Sequence, residues 1–397
     1  MSLSSIFTPW SVSVLMSKLK LGIFFFFFAG SISAQDSLYT RRIIQQLCSE
    51  SCYGRGYVKK GLQKAETILL NELKSAGARP FFSGSYLQSF FHSVNVFDGK
   101  TKLILNGKKL EPGRDYIPDA AAPPLKGRCL LTQKDSLNFV GNIGPKTVRI
   151  ILKNKLTWTV ARKISDEFVI ELDRKKFSGL PQSLEMNYQS HLLDNFESRN
   201  VGCELDGTSG SDSVIVFSAH YDHLGGIGSK CYFPGANDNA SGVSMVLNLL
   251  RYYKQHPPKY RTVFLFFAGE EAGLLGSLFF TSSPKMDLSK IKFLINLDLL
   301  GTGEEGIMVV NGALHQEAFD RLTNLNKTTG KLTQIKKRGK AANSDHYWFT
   351  EKGVPCFFIY TMGGISAYHD VYDRPDTLPL TRYRNVFQLL TAFVAGF

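Results

Sequence analysis

The second half of the chain alternates between unbroken apolar runs and amphipathic stretches. Val214-Ile215-Val216-Phe217, Thr262 to Ala268, Phe293 to Leu297 and Cys356 to Tyr360 are the apolar runs. Runs this short and this continuous predict strands buried on both faces. Between them, Ser241 to Tyr253 places Val243, Val246, Leu247 and Leu250 on one helical face and stops at Pro257-Pro258. A Leu-rich helix follows Glu271, and a last helix is predicted from about Leu380 to Ala395. This alternation predicts an α/β fold: a three-layer α/β/α sandwich around a mainly parallel mixed sheet.

The first half reads differently. Leu62, Ala65, Leu69, Leu73 and Ala76 share one face of a helix predicted over Lys59 to Ala76, with Gly77 as its stop. From about Asp98 the texture changes. Asn106-Gly107 separates two strand-like runs as a hairpin turn would, Ala120 to Pro124 is non-helical, and Val148 to Leu152 and Phe168 to Leu172 read as strands. Residues 98–184 are therefore expected to be a small β-rich insertion. They separate an N-terminal part, 35–97, from the main body of the domain, 185–397.

Residues 1–34 are set apart from the fold. Lys18 and Lys20 precede the apolar run Leu21 to Ala29, and Gly30-Ser31-Ile32-Ser33-Ala34 follows before Gln35. That is the order of a secretory signal peptide, with a run too short to span a bilayer. Met16 stands as an alternative start, and a retained amphipathic anchor is the competing reading. The expectation is export to the periplasm or the extracellular space, with no stable membrane anchor after cleavage. The full chain has a net charge of +13; removing two leader lysines and no acids leaves +11. The basic residues are scattered and lack interleaved aromatics, so a solvated surface is favoured over nucleic-acid binding. Six cysteines in a chain of 397 residues do not make a disulfide scaffold. Cys48 and Cys52 are close enough to bridge only if their segment is a loop, whereas Cys129 and Cys356 read as small buried hydrophobes.

Five short segments carry the candidate chemistry: Ala219-His220-Tyr221-Asp222, Gly235 to Gly242, Ala268-Gly269-Glu270-Glu271, Asn296-Leu297-Asp298 and Ala367-Tyr368-His369-Asp370. His220, Glu270, Glu271 and Asp298 fall just beyond predicted strands, where ligands bind in open α/β sheets. A dinuclear hydrolase needs an imidazole and a carboxylate for each metal, a shared carboxylate, and a further carboxylate that moves a proton. These segments supply that set. Asp222, two residues from His220, is placed to orient its ring. Asp238 lies in a turn of small residues with room for a bridging carboxylate. Adjacent acids such as Glu270 and Glu271 at a buried strand end are costly unless a positive group joins them. His223 and His346 read as supporting residues. His92, His191, His256 and His315 read as surface or helix residues, and Asp373 and Asp376 as turn formers beside Pro375.

Over about 185–397 this set resembles the co-catalytic dizinc aminopeptidase family, the bacterial leucyl aminopeptidases and aminopeptidase Y-like exopeptidases. The resemblance implies two zinc ions per chain, with His220 and Asp298 on one, Glu271 and His369 on the other, and Asp238 bridging through a cis bond to Asn239. It implies Glu270 as general base toward a metal-bridging water, with Asp222 and Asp345 in support, and Tyr360 or Tyr368 as candidates to hold the oxyanion. The substrates implied are peptides with a free N-terminus. Position 237 is Asn where many relatives have Asp, and residues 98–184 match the family's protease-associated insertion poorly. Two enzyme readings compete: a single-zinc glutaminyl cyclase, which His220 disfavours, and a carboxypeptidase or dipeptidase using Arg374 or Arg382. A non-catalytic binding protein would be expected to lack several of these ligands, and none is missing here.

Overall fold

A computed structural model describes residues 36–177 and 179–397. The leader reading over 1–34 lies outside the described residues. Among those described, no helix is long and apolar enough to cross a membrane.

The main sheet runs in the order Arg79–Pro80, His191–Leu205, Arg261–Phe267, Val214–His220, Ile291–Leu297, Cys356–Thr361, Ile307–Val310, Ile335–Lys337, with Leu87–Val96 also pairing His191–Leu205. Its centre is parallel: Arg261–Phe267, Val214–His220, Ile291–Leu297 and Cys356–Thr361 all point the same way. The antiparallel pairs lie toward its two sides. All seven residues of Val214–His220 are buried, as a strand covered on both faces requires. Helix Gly242–Gln255 packs Val243, Val246, Leu247 and Leu250 into the core. The C-terminal helix is Tyr383–Ala395, three residues shorter at its start than the sequence suggests, because Leu380 adopts a positive φ of 58°.

Topology puts a crevice in a definite place. From Val214–His220 the chain passes to Arg261–Phe267 on one side, then back across to Ile291–Leu297 on the other. The connections thus diverge between Val214–His220 and Ile291–Leu297, and such a switch point opens a crevice beyond the strands' carboxyl ends. His220 ends one of these strands and Asp298 follows the other.

Residues 101–188 hold two smaller sheets, one of five strands and one of four. Lys146–Lys153 and Phe168–Asp173 pair in parallel, and Asn106 and Gly107 turn at positive φ between Thr101–Leu105 and Lys108–Lys109. Their apolar cluster, with Leu103, Val148, Trp158, Phe168 and Ile170, extends to Leu224, Ile227 and Phe233 of the loops beyond His220. Every cysteine is free. Cys129 is only half-buried, because its strand, Leu125–Leu130, alternates between intermediate and exposed positions.

Candidate metal centre

The five segments converge. His220 ends its strand with its ring buried, its Nε2 3.3 Å from Asp238 Oδ1 and 3.4 Å from Asp298 Oδ2. His369 Nε2 lies 3.1 Å from Asp238 Oδ2 and 3.2 Å from Glu271 Oε2. Asp238 therefore offers one carboxylate oxygen to each imidazole. His220 with Asp238 and Glu271, and His220 with Glu270 and Asp298, form two groups of donor atoms within 4.8 Å of one another. The Asp238–Asn239 peptide bond is cis.

These side chains suit divalent cations. Asp298 Oδ1 is buried without a hydrogen-bond partner, and four carboxylates (Asp238, Glu270, Glu271, Asp298) crowd one buried place. Among the protein groups alone, burial and then Glu271, Asp345 and Asp298 push Glu270 well above the usual carboxylate range. Burial likewise raises Asp298 against the attraction of His220. Asp238 goes the other way: burial opposes its charge, but hydrogen bonds from His220 and His369 hold it well below the ordinary value. Glu271 falls to about 2, with burial again outweighed by His369 and His223. Carboxylates facing imidazoles in a low-dielectric pocket relieve their mutual repulsion by sharing cations.

A second layer fixes these groups. Asp222 is fully buried; it accepts from the backbone N–H of Glu270 and Glu271 at 3.2 and 3.3 Å and from Tyr57 Oη at 3.3 Å. Its Oδ1 is 3.7 Å from His220 Nδ1. His223 Nδ1 is 2.7 Å from Glu271 Oε1, which gives that histidine its supporting place. Ser218 donates to Asn296, Asn296 to Ser344, and Ser344 to Asp298 Oδ2 at 3.2 Å. Asp345 accepts from Ser277 at 2.5 Å, and burial raises its carboxyl to about 7. Asn237 ties the turn before Asp238 to the segment after Asp298, its Oδ1 accepting from Gly301 N at 2.7 Å.

Several site residues escape sequence reasoning. Asp373 is no exposed turn former: it is buried, and its carboxylate accepts from the N–H of Asn237 and Asp238 at 2.8 and 2.9 Å. Arg55 is fully buried and donates to the carbonyls of Tyr221, Pro234, Gly235 and Asp238 at 2.7 to 3.0 Å. The one local signal was Gly54-Arg55-Gly56, a tight segment in which Gly54 and Arg55 both take positive φ. His92 is a buried strand residue bonded to Ser198, not a surface histidine. Tyr368 stacks on His369, with ring centroids 4.0 Å apart at 13°. Tyr360 instead meets Arg338. Arg374 pairs with Asp376 at the surface.

The model of the peptidase family M28 matches residues 200–394. That segment is an M28 peptidase segment. The M28 segment contains His220, Asp238, Glu270, Glu271, Asp298 and His369. The chain is 28% identical over 308 residues to aminopeptidase YwaD of Bacillus subtilis, covering 71% of this chain and 64% of that protein. It is 36% identical over 111 residues to a probable zinc metalloprotease of Pyricularia oryzae, 27% of this chain and 22% of that one. The matches thus span less than two thirds of these relatives' lengths. In fold, it superposes on BSAP, a zinc aminopeptidase from Bacillus subtilis, with a TM-score of 0.65 at 18% identity, covering 90% of this chain and 94% of that one. A glutaminyl cyclase of Bacteroides thetaiotaomicron aligns with a TM-score of 0.53 at 14% identity, over 91% and 98%.

Proposed function

We propose that this chain is an exported M28 aminopeptidase that holds two zinc ions and removes N-terminal residues from peptides. One observation carries the reading: Asp238 presents its two oxygens to His220 and His369, and each imidazole has a second carboxylate, Asp298 or Glu271, beside it. His220 and Asp298 would hold one ion, Glu271 and His369 the other, with Asp238 shared. When bound, such a pair supplies Lewis acidity, polarising the scissile carbonyl and lowering the pKa of water.

The chain's own residues do the rest. Glu270 accepts the proton of the attacking water and passes it to the leaving amine. Asp222 fixes it for that task by binding its backbone N–H. Tyr368 is 42% exposed, yet partial desolvation and then the neighbouring Asp238 and Glu271 oppose ionisation of its hydroxyl. Its ring stacks on His369, and it would donate to the oxyanion. Export rests on the charge, apolar run and small-residue order of residues 1–34.

The test is metal content measured together with activity on free and N-acetylated aminoacyl-anilides. Two zinc ions per chain, with cleavage of free amines only and loss on chelation, is the expected result. One zinc with cyclisation of N-terminal glutamine would replace the reading with a cyclase. Export is checked by sequencing the N-terminus of secreted protein, where Gln35 should be first.

A further inference from the structure

Trp158 lies between the insertion strands Lys146–Lys153 and Phe168–Asp173. It grips His369 twice. Trp158 N–H donates to the His369 carbonyl at 2.9 Å, and His369 Nδ1 lies 3.0 Å from the Trp158 carbonyl. A carbonyl can only accept, so Nδ1 carries a proton there, and Nε2, beside Asp238 and Glu271, is the ring atom left to bind a metal. His369 also sits at a φ of 52°, a left-handed conformation that a residue with a Cβ keeps only when its surroundings hold it.

Trp158 is itself locked. Its indole is buried, stacks on Phe233 at 4.8 Å and 20°, and donates from Nε1 to the Pro118 carbonyl at 2.9 Å. Phe233 stands just before the turn that carries Asp238. Trp158 therefore joins both loops that supply the shared side of the centre. Lys155 braces the same loop from either side of His369: its Nζ donates to the Ser366 carbonyl at 2.7 Å and lies 3.6 Å from Asp370 Oδ2.

We propose that Trp158 and Lys155 are positioning residues for His369, making residues 101–188 an integral part of the metal centre rather than a cover over its entrance. The inference rests on the two-metal reading above. A histidine whose ring N–H is held by a fixed carbonyl is the usual way a protein sets a ligand's tautomer and angle, and disturbing such a partner costs about 10- to 100-fold in metal affinity.

The experiment is zinc binding to the mature full chain by chelator competition. Lys155→Met, at a half-exposed side chain, and Trp158→Ala should each weaken one of the two ions by about 10- to 100-fold and leave the other at wild-type affinity. The weakened ion should be the one lost in His369→Ala, and Lys155→Arg should restore it. If Trp158→Ala fails to fold, Lys155→Met with its Arg rescue decides. Wild-type affinity for both ions in Lys155→Met and every folded Trp158 variant would overturn the inference and leave the two-metal reading intact. A wild-type chain that binds no zinc would overturn both.

Discussion

At the residue scale the centre divides labour between carboxylates of the same chemistry. Glu270 and Glu271 are neighbours in sequence and both partly buried, yet Glu271 is drawn down by His369 and His223 while desolvation and like charges push Glu270 up. Opposite displacement of paired acids is what separates a ligand from a base. Glu270→Gln should therefore lower kcat by at least about 100-fold while two zinc ions remain bound, measured by steady-state kinetics beside metal analysis. Undiminished turnover would remove Glu270 from the chemistry. Tyr368→Phe should reduce kcat by about 10- to 1,000-fold with little change in KM, as expected when a donor acts only on developing charge. A rise in KM at constant kcat would instead give Tyr368 a role in substrate binding. The residues that converge here could be picked out in the sequence as candidates: His220, Glu270, Glu271 and Asp298 end or follow strands, while Asp238 and His369 stand in the connecting segments. Asp373 was not: a carboxylate three residues from Asp370 and beside Arg374-Pro375 looks like a turn former until its backbone partners are seen.

At the scale of elements, the strands were legible because both faces of the central ones are buried, and apolar runs such as Val214 to Phe217 announce that directly. Helix boundaries were less so. Helix Gly61–Ser75 begins after Lys59 and Lys60, both at positive φ, which no apolar spacing reveals. Arg55 shows why long-range ties stay hidden. It leaves a short turn in the N-terminal segment and binds the Asp238 carbonyl 183 residues away. Its guanidinium fixes the loop after His220 and the turn before Asp238 in one act. Replacing it with Met would strand several buried carbonyls. Arg55→Met should cost at least about 3 kcal/mol in unfolding free energy, read from urea melts of the apo protein. It should also weaken zinc binding at Asp238. A loss below about 1 kcal/mol would mean that water replaces the guanidinium without strain.

At the scale of the molecule, three distant parts of the chain close on one place: the N-terminal Arg55, the insertion's Trp158 and the C-terminal His369. The last two are 211 residues apart, and their contact is made by main-chain atoms as well as a ring, so no residue pattern could disclose it. The same closure predicts how the whole fold responds to metal. The donor set is assembled in the folded chain and dispersed in the unfolded one, so cations bind the native state and stabilise it by mass action. At free zinc about 1,000-fold above each dissociation constant, each ion contributes about 4 kcal/mol. For a chain of this size the unfolding entropy translates the pair into a rise of about 10 °C in Tm. Calorimetry before and after chelation, followed by return of zinc, measures it. A rise that reverses with each cycle shows that the centre is already built when metal arrives. An unchanged Tm would mean that the carboxylate cluster is stable without cations, and would count against zinc as its resident ion.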